Sequence, residues 1–97
     1  MSSPIVFRRI AKAEMDESIA WYENQREHLG VEFAVEIDKT LKKISQNPGQ
    51  FPRLRGDVRR ALLPRFPYGI DYINEVAGVV VLAVFHVKRD PQQLEER

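Results

Sequence analysis

The stretch Val79-Val80-Val81-Leu82-Ala83-Val84-Phe85 constrains this chain more than any other segment. It is rich in β-branched residues, which favours a strand, yet it lacks the apolar/polar alternation of a strand with one wet face. A strand apolar on both faces has to be covered on both, so the run Val79 to Val87 is expected at the centre of a sheet. The rest of the chain must then supply flanking strands and a covering layer.

Flanking strands are expected from the sequence that precedes it. Pro48, Pro52, Pro64 and Pro67 punctuate the second half and exclude another long helix there. Between them, Val58 to Leu63 and Phe66 to Ile73 read as strands, the second joined to the central run by the short, glycine-containing loop Asn74 to Gly78. Ile5, Val6 and Phe7 read as a further short strand at the start.

The covering layer comes from the first half. Ala11, Met15, Ile19 and Tyr22 recur at spacings of four and three, with Glu14, Asp16, Glu17 and Glu23 between them, the pattern of an amphipathic helix. Gly30 is expected to stop it. Phe33, Ile37, Leu41 and Ile44 make a second apolar stripe that ends at Asn47-Pro48-Gly49. So short a connection predicts an antiparallel helical hairpin. Asp90-Pro91 suits the cap and first position of a short terminal helix. The expected fold class is therefore α+β: a helical hairpin packed on a mostly antiparallel sheet, order β-α-α-β-β-β with a short C-terminal helix, residues 1–97 forming one domain.

Composition narrows the function classes. The 97 residues are 43% hydrophobic and 30% charged, a globular balance. With no cysteine, disulfides and thiolate chemistry are excluded, and two histidines are too few for a multi-histidine metal site. No cofactor or metal is expected. No apolar run approaches the roughly 20 residues that cross a bilayer, and the first ten residues lack a signal peptide's apolar region, so a cytoplasmic protein with no membrane partner is expected.

Net charge is only +1, but residues 51–70 carry Arg53, Arg55, Arg59, Arg60 and Arg65 against Asp57 alone. Arginine presents a planar fork of donors that fits phosphate or carboxylate at any biological pH. These five, with Tyr68, Lys88 and Arg89, are the candidate partner- or anion-binding residues. An acidic protein partner, a nucleic-acid or ribosome face, and simple solvation of the surface all fit them.

In order and spacing, several short motifs along the chain resemble the RelE/ParE superfamily of toxins, often labelled plasmid-stabilisation proteins. They are Ala20-Trp21-Tyr22-Glu23, Leu29-Gly30 with Phe33, Asn47-Pro48 with Phe51-Pro52, Val58-Arg59-Arg60, Arg65-Phe66-Pro67-Tyr68, and His86-Val87-Lys88-Arg89-Asp90-Pro91. The resemblance implies the toxin of a bacterial type II toxin–antitoxin system, in a heteromeric complex with a cognate antitoxin that keeps it inactive. It also implies one of two targets. One branch cleaves messenger RNA on the ribosome with basic residues and a tyrosine or histidine; the ParE-like branch is reported to poison DNA gyrase with no such set.

For a ribonuclease, His86 and Arg89 are the candidate catalytic residues, the first for proton transfer and the second for the phosphate. Two departures from that branch point to a non-enzymic toxin. Gly69 follows Tyr68 where an arginine is usual, and Gln92, Gln93, Leu94 and Glu95 supply no aromatic near the C-terminus. The ribosome-dependent endoribonuclease is the alternative reading, and a non-toxic, partner-binding member of the superfamily is a third.

Overall fold

A computed structural model describes residues 2–88 of the chain. Its elements are β1 (Ile5–Phe7), α1 (Arg9–Gln25), α2 (Leu29–Gln46), β2 (Arg53–Arg55), β3 (Val58–Leu62), β4 (Tyr68–Glu75) and β5 (Gly78–His86). They form a five-stranded sheet of order β1-β5-β4-β3-β2. Only the β1–β5 pairing is parallel. The two helices form the predicted hairpin on this sheet, so the architecture is the α+β one expected. The expected C-terminal helix lies outside the described residues.

β5 is internal, between β1 and β4, as its sequence required. Its core-facing side chains Val79, Val81 and Val84 are at most 2% exposed, and so are Ile70 and Tyr72 of β4 and Phe33, Ile37 and Ile44 of α2. Full burial of each aliphatic or phenylalanine side chain contributes about 1.5–3 kcal/mol. At one end of this core Tyr22, Phe33, Phe66 and Tyr68 form an aromatic cluster, with ring centroids 4.8–5.9 Å apart. The two-residue turn at Val76 and Ala77 is tighter than the loop expected from sequence. Gly78 follows at φ 143°, where an added Cβ would lie 2.6 Å from the Pro4 carbonyl oxygen.

Two local expectations are corrected. Gly30 does not end α1, which stops at Gln25, but lies buried in the first turn of α2. The residue that takes the left-handed conformation is His28, at φ 70°. Gly30 is small for a different reason: a Cβ there would lie 2.6 Å from the Ile19 carbonyl oxygen and 2.9 Å from Glu23 Cβ, so the absence of a side chain sets how closely the helices approach. The second correction is β2, an additional three-residue edge strand. Its pattern is arginine, leucine, arginine, all exposed, so it has no buried face to announce it.

No side chain of His28, the N-cap of α2, satisfies that helix's first amides. Glu23 of α1 does so across the junction, its carboxylate accepting from the backbone N–H of His28 at 2.9 Å and of Gly30 at 3.0 Å. These bonds, that to His28 foremost, hold its carboxyl below the ordinary 4.5. A depressed carboxylate contributes stability that is present in full above its ordinary value and is lost as pH falls through the folded value. Glu23→Gln is therefore expected to melt below the parent at pH 7, and the gap should close as pH falls below the ordinary 4.5 and through the folded value. Thermal melts across pH check this; a gap independent of pH would mean that the contact acts by shape alone.

Candidate functional site

The sequence groups five arginines, but the fold distributes them over three places. Because side chains alternate along a strand, Arg59 lies on the helix side of the sheet beside core residue Tyr72, and Arg60 lies on the opposite face beside Asp71. Arg65, in the β3–β4 connection, reaches the hairpin junction.

On the face away from the helices, Arg60 donates to both oxygens of Asp71, from Nε at 2.8 Å and Nη2 at 3.1 Å. The Asp71 side chain is 5% exposed and that of Arg60 is 27% exposed. The guanidinium also stacks on Phe85, 4.4 Å from the ring centroid. Gly69 makes this unit possible, since a Cβ there would lie 2.7 Å from the Phe85 ring. An arginine at position 69 would thus displace Phe85 and unseat Arg60. The departure from the ribonuclease pattern seen in sequence is built into the packing of this face.

Of the partner-binding candidates, Arg60 has its fork already filled by a carboxylate of the same chain. Arg65 is engaged too, donating to Glu32 Oε1 at 3.2 Å, while Arg26 donates to the other oxygen at 3.1 Å. Arg65 and then Arg26 hold the Glu32 carboxyl below its ordinary value. Tyr68 is placed inside. At 3% exposure it belongs to the aromatic cluster.

His86, opposite Tyr68 in the β4–β5 ladder, is half-buried, with the Tyr68 ring edge-on at 5.2 Å. Its Nδ1 accepts from the backbone N–H of Lys88 at 3.1 Å, a turn-stabilising role that requires that nitrogen to be unprotonated. Lys88 is exposed, and Arg89 lies outside the described residues. Among the described residues no group of three or more histidine or carboxylate side chains could hold a metal. No described helix is long and apolar enough to cross a membrane.

Arg53, Arg55 and Arg59 remain at the β2 edge. Arg53 stands directly opposite Arg59 in the ladder, both on the helix side of the sheet. Arg59 Nη1 donates to the Phe51 carbonyl at 2.7 Å. Its neighbour Tyr72 donates its hydroxyl to the Pro48 carbonyl. Burial raises the Tyr72 hydroxyl's pKa above its ordinary value, and the Arg59 charge opposes that rise.

A second surface lies on the outer side of the hairpin, where Ile19, Gly30, Val31, Ala34 and Val35 line an apolar groove bordered by Glu23 and Asp38. Val31 is 58% and Val35 47% exposed, and neither belongs to the stripe of α2 that faces the sheet. Sequence reading passed over this groove, though two valines off the buried stripe of an amphipathic helix were its available signal. Asp71 was also missed; its signal was a lone carboxylate inside an otherwise apolar and aromatic strand.

No family model and no curated protein matches the sequence. Among solved structures, a chain of the chromosomal ParDE toxin–antitoxin system from P. aeruginosa superposes with a TM-score of 0.78 at 19% identity, over 90% of this chain and 98% of that one. This chain shares the fold of that ParDE-system chain. The correspondence spans nearly the whole of both chains, so the hairpin and the sheet are both part of the shared fold. At 19% identity it speaks to the backbone, and side-chain function has to be argued from this chain's own residues.

Proposed function

We propose that this chain is the toxin of a type II toxin–antitoxin pair, acting in the cytoplasm by binding its target and held inactive by a cognate antitoxin. The observation that carries the reading is the near-complete correspondence with a chain of a ParDE system. The absence of catalysis is supported by the sheet itself. A ribonuclease site needs cationic groups free to meet the phosphate and a group free to move a proton. Arg60 is neutralised by Asp71, Gly69 stands where an arginine clamp is usual, Tyr68 is buried, and His86 Nδ1 is taken up by a backbone amide. Of the two targets that the superfamily resemblance implies, DNA gyrase is the one that needs no such site.

The antitoxin is proposed to lay the apolar face of an amphipathic helix in the hairpin groove over Val31 and Val35. These two valines and the groove lining would otherwise leave an apolar surface in water.

Inducing the chain alone is expected to abolish colony formation, and co-expressing the neighbouring reading frame is expected to restore it. Messages on translating ribosomes should stay intact while gyrase-dependent supercoiling falls. Cleaved message would replace this reading with the ribonuclease one. Normal growth with soluble, intact protein would replace it with a partner-binding member that has lost toxicity.

A further inference from the structure

The face of the sheet turned away from the helices is apolar where water should meet it. A sheet covered by helices on one side ordinarily alternates, apolar toward the core and polar toward solvent. Here Val6, Val80, Ile73 and Val58 stand in register across β1, β5, β4 and β3. Their strand neighbours Ile5, Phe7, Val79 and Tyr72 pack into the core, so alternation turns this row of β-branched side chains outward. The rows beside it are Ala83, Asp71 and Arg60, then Phe85, Gly69 and Leu62. Val6 is 60% and Leu62 59% exposed, while Val58, Ile73 and Val80 are half-buried. An apolar surface of this extent is the mark of an interaction site.

The charge pattern selects the occupant. Arg60 and Asp71 face each other on adjacent strands and neutralise each other, so the centre of the face carries a dipole and no net charge. A dipole lying across the strands is matched by its own copy turned through a half-rotation. With a two-fold axis running along the strands between β3 and β4, each Arg60 lies over the second copy's Asp71, and the four charges alternate in sign. The same rotation lays Val58 over the second copy's Ile73 and β2 over β5. From this self-complementarity we infer that the outer face of the sheet is an isologous interface joining two copies of this chain, their sheets stacked face to face. Nucleic acid fits less well, because phosphates need cations free to meet them and the arginine at the centre has its fork filled. The interface lies on the side opposite the helical hairpin, so a dimer leaves the groove over Val31 and Val35 open, and the inference does not use the toxin reading.

The size of the face sets the strength. Strands β2 to β5, spaced by about 4.8 Å, and five residues from Gly69 to Ile73 at about 3.4 Å each make an overlap of roughly 19 by 17 Å. That is smaller than the ~800 Å² per partner of a standard interface, so a reversible dimer is expected, with a dissociation constant on the order of 10–100 µM.

Sedimentation equilibrium of the full chain between about 1 and 500 µM tests this, and a monomer–dimer equilibrium is the expected result. Leu62→Lys sets a cation into the apolar overlap at a position that is exposed in the single chain, and is expected to weaken the dimer at least about tenfold. Leu62→Met keeps the position apolar and should dimerise like the parent. Ile10→Lys, at an exposed apolar residue of α1, should do the same. In the isotopically labelled parent, dilution is expected to shift the backbone amides of Val58, Leu62 and Ile73.

The inference is overturned if the parent is monomeric throughout the range, or if Leu62→Lys dimerises within about twofold of the parent. It is equally overturned if Ile10→Lys abolishes the dimer, or if the dilution shifts fall on the hairpin or on residues 89–97 instead of the outer face. Should Leu62→Lys fail to fold, the dilution shifts of the parent decide by the same criterion.

Discussion

Asp71→Ala is expected to lower the melting temperature by about 10–20 °C, although the residue belongs to no helix-facing core. The substitution leaves the Arg60 guanidinium against Phe85 and the sheet with no carboxylate to receive it. Removing one member of a fully buried pair costs about 3–5 kcal/mol. With Arg60 27% exposed, water offsets part of that, and about 2–3 kcal/mol remains. In a domain this small each kcal/mol moves the melting temperature by about 4–8 °C. The double substitution Arg60→Met with Asp71→Leu removes both charges and should recover most of the loss. Calorimetry on the two single variants and the double variant measures the coupling. If Asp71→Ala melts within a few degrees of the parent, the pair contributes little and Arg60 has to be reinstated as an available cation.

Gly30→Val is expected to be of similar severity, about 2–3 kcal/mol or more, for a reason of shape alone. Even the first carbon of a side chain would lie 2.6 Å from a backbone carbonyl of α1, and a carbonyl held in a helix cannot rotate away. The helices must separate, which also disturbs the Glu23 contacts to His28 and Gly30. Valine is, moreover, a poor helix former beside alanine. Gly49→Ala is the control: its nearest neighbour would be 3.9 Å away, so it should melt like the parent. Since Gly30 lines the hairpin groove, any folded Gly30→Val protein should also, on the proposed reading, be neutralised less well by an antitoxin. A Gly30→Val variant that melts with the Gly49→Ala control would mean that the helices are not held at this spacing.

Both effects fall where the sequence was hardest to read. The stripes Ala11–Met15–Ile19–Tyr22 and Phe33–Ile37–Leu41–Ile44, and the unbroken run from Val79, were legible because burial of one face or two imposes a pattern. β2 was not, because a short edge strand with every side chain in water carries no such pattern. Gly30 was read as a helix stop since local sequence cannot distinguish a glycine needed for a positive φ from one needed for close approach of a distant segment. The arginines could be counted but not sorted. Whether Arg60 meets a partner or Asp71 depends on a ladder register between strands ten residues apart and more, and on alternation that sends Arg59 and Arg60 to opposite faces. The burial of Tyr68 was illegible for the same reason: next to a proline and near arginines it resembles a surface aromatic until the hairpin is packed over it.

The parallel pairing of β1 with β5 has a consequence for the timing of synthesis. Ile5 leaves the ribosome long before its ladder partner, Val79. Contacts so distant in sequence form late and slow the completion of folding. The helical hairpin can assemble from local contacts while the sheet still lacks its central strand. On the proposed reading, the nascent chain would expose the hairpin face to a waiting antitoxin before the native sheet exists, and a message broken upstream of β5 would yield a polypeptide unable to reach the toxic conformation.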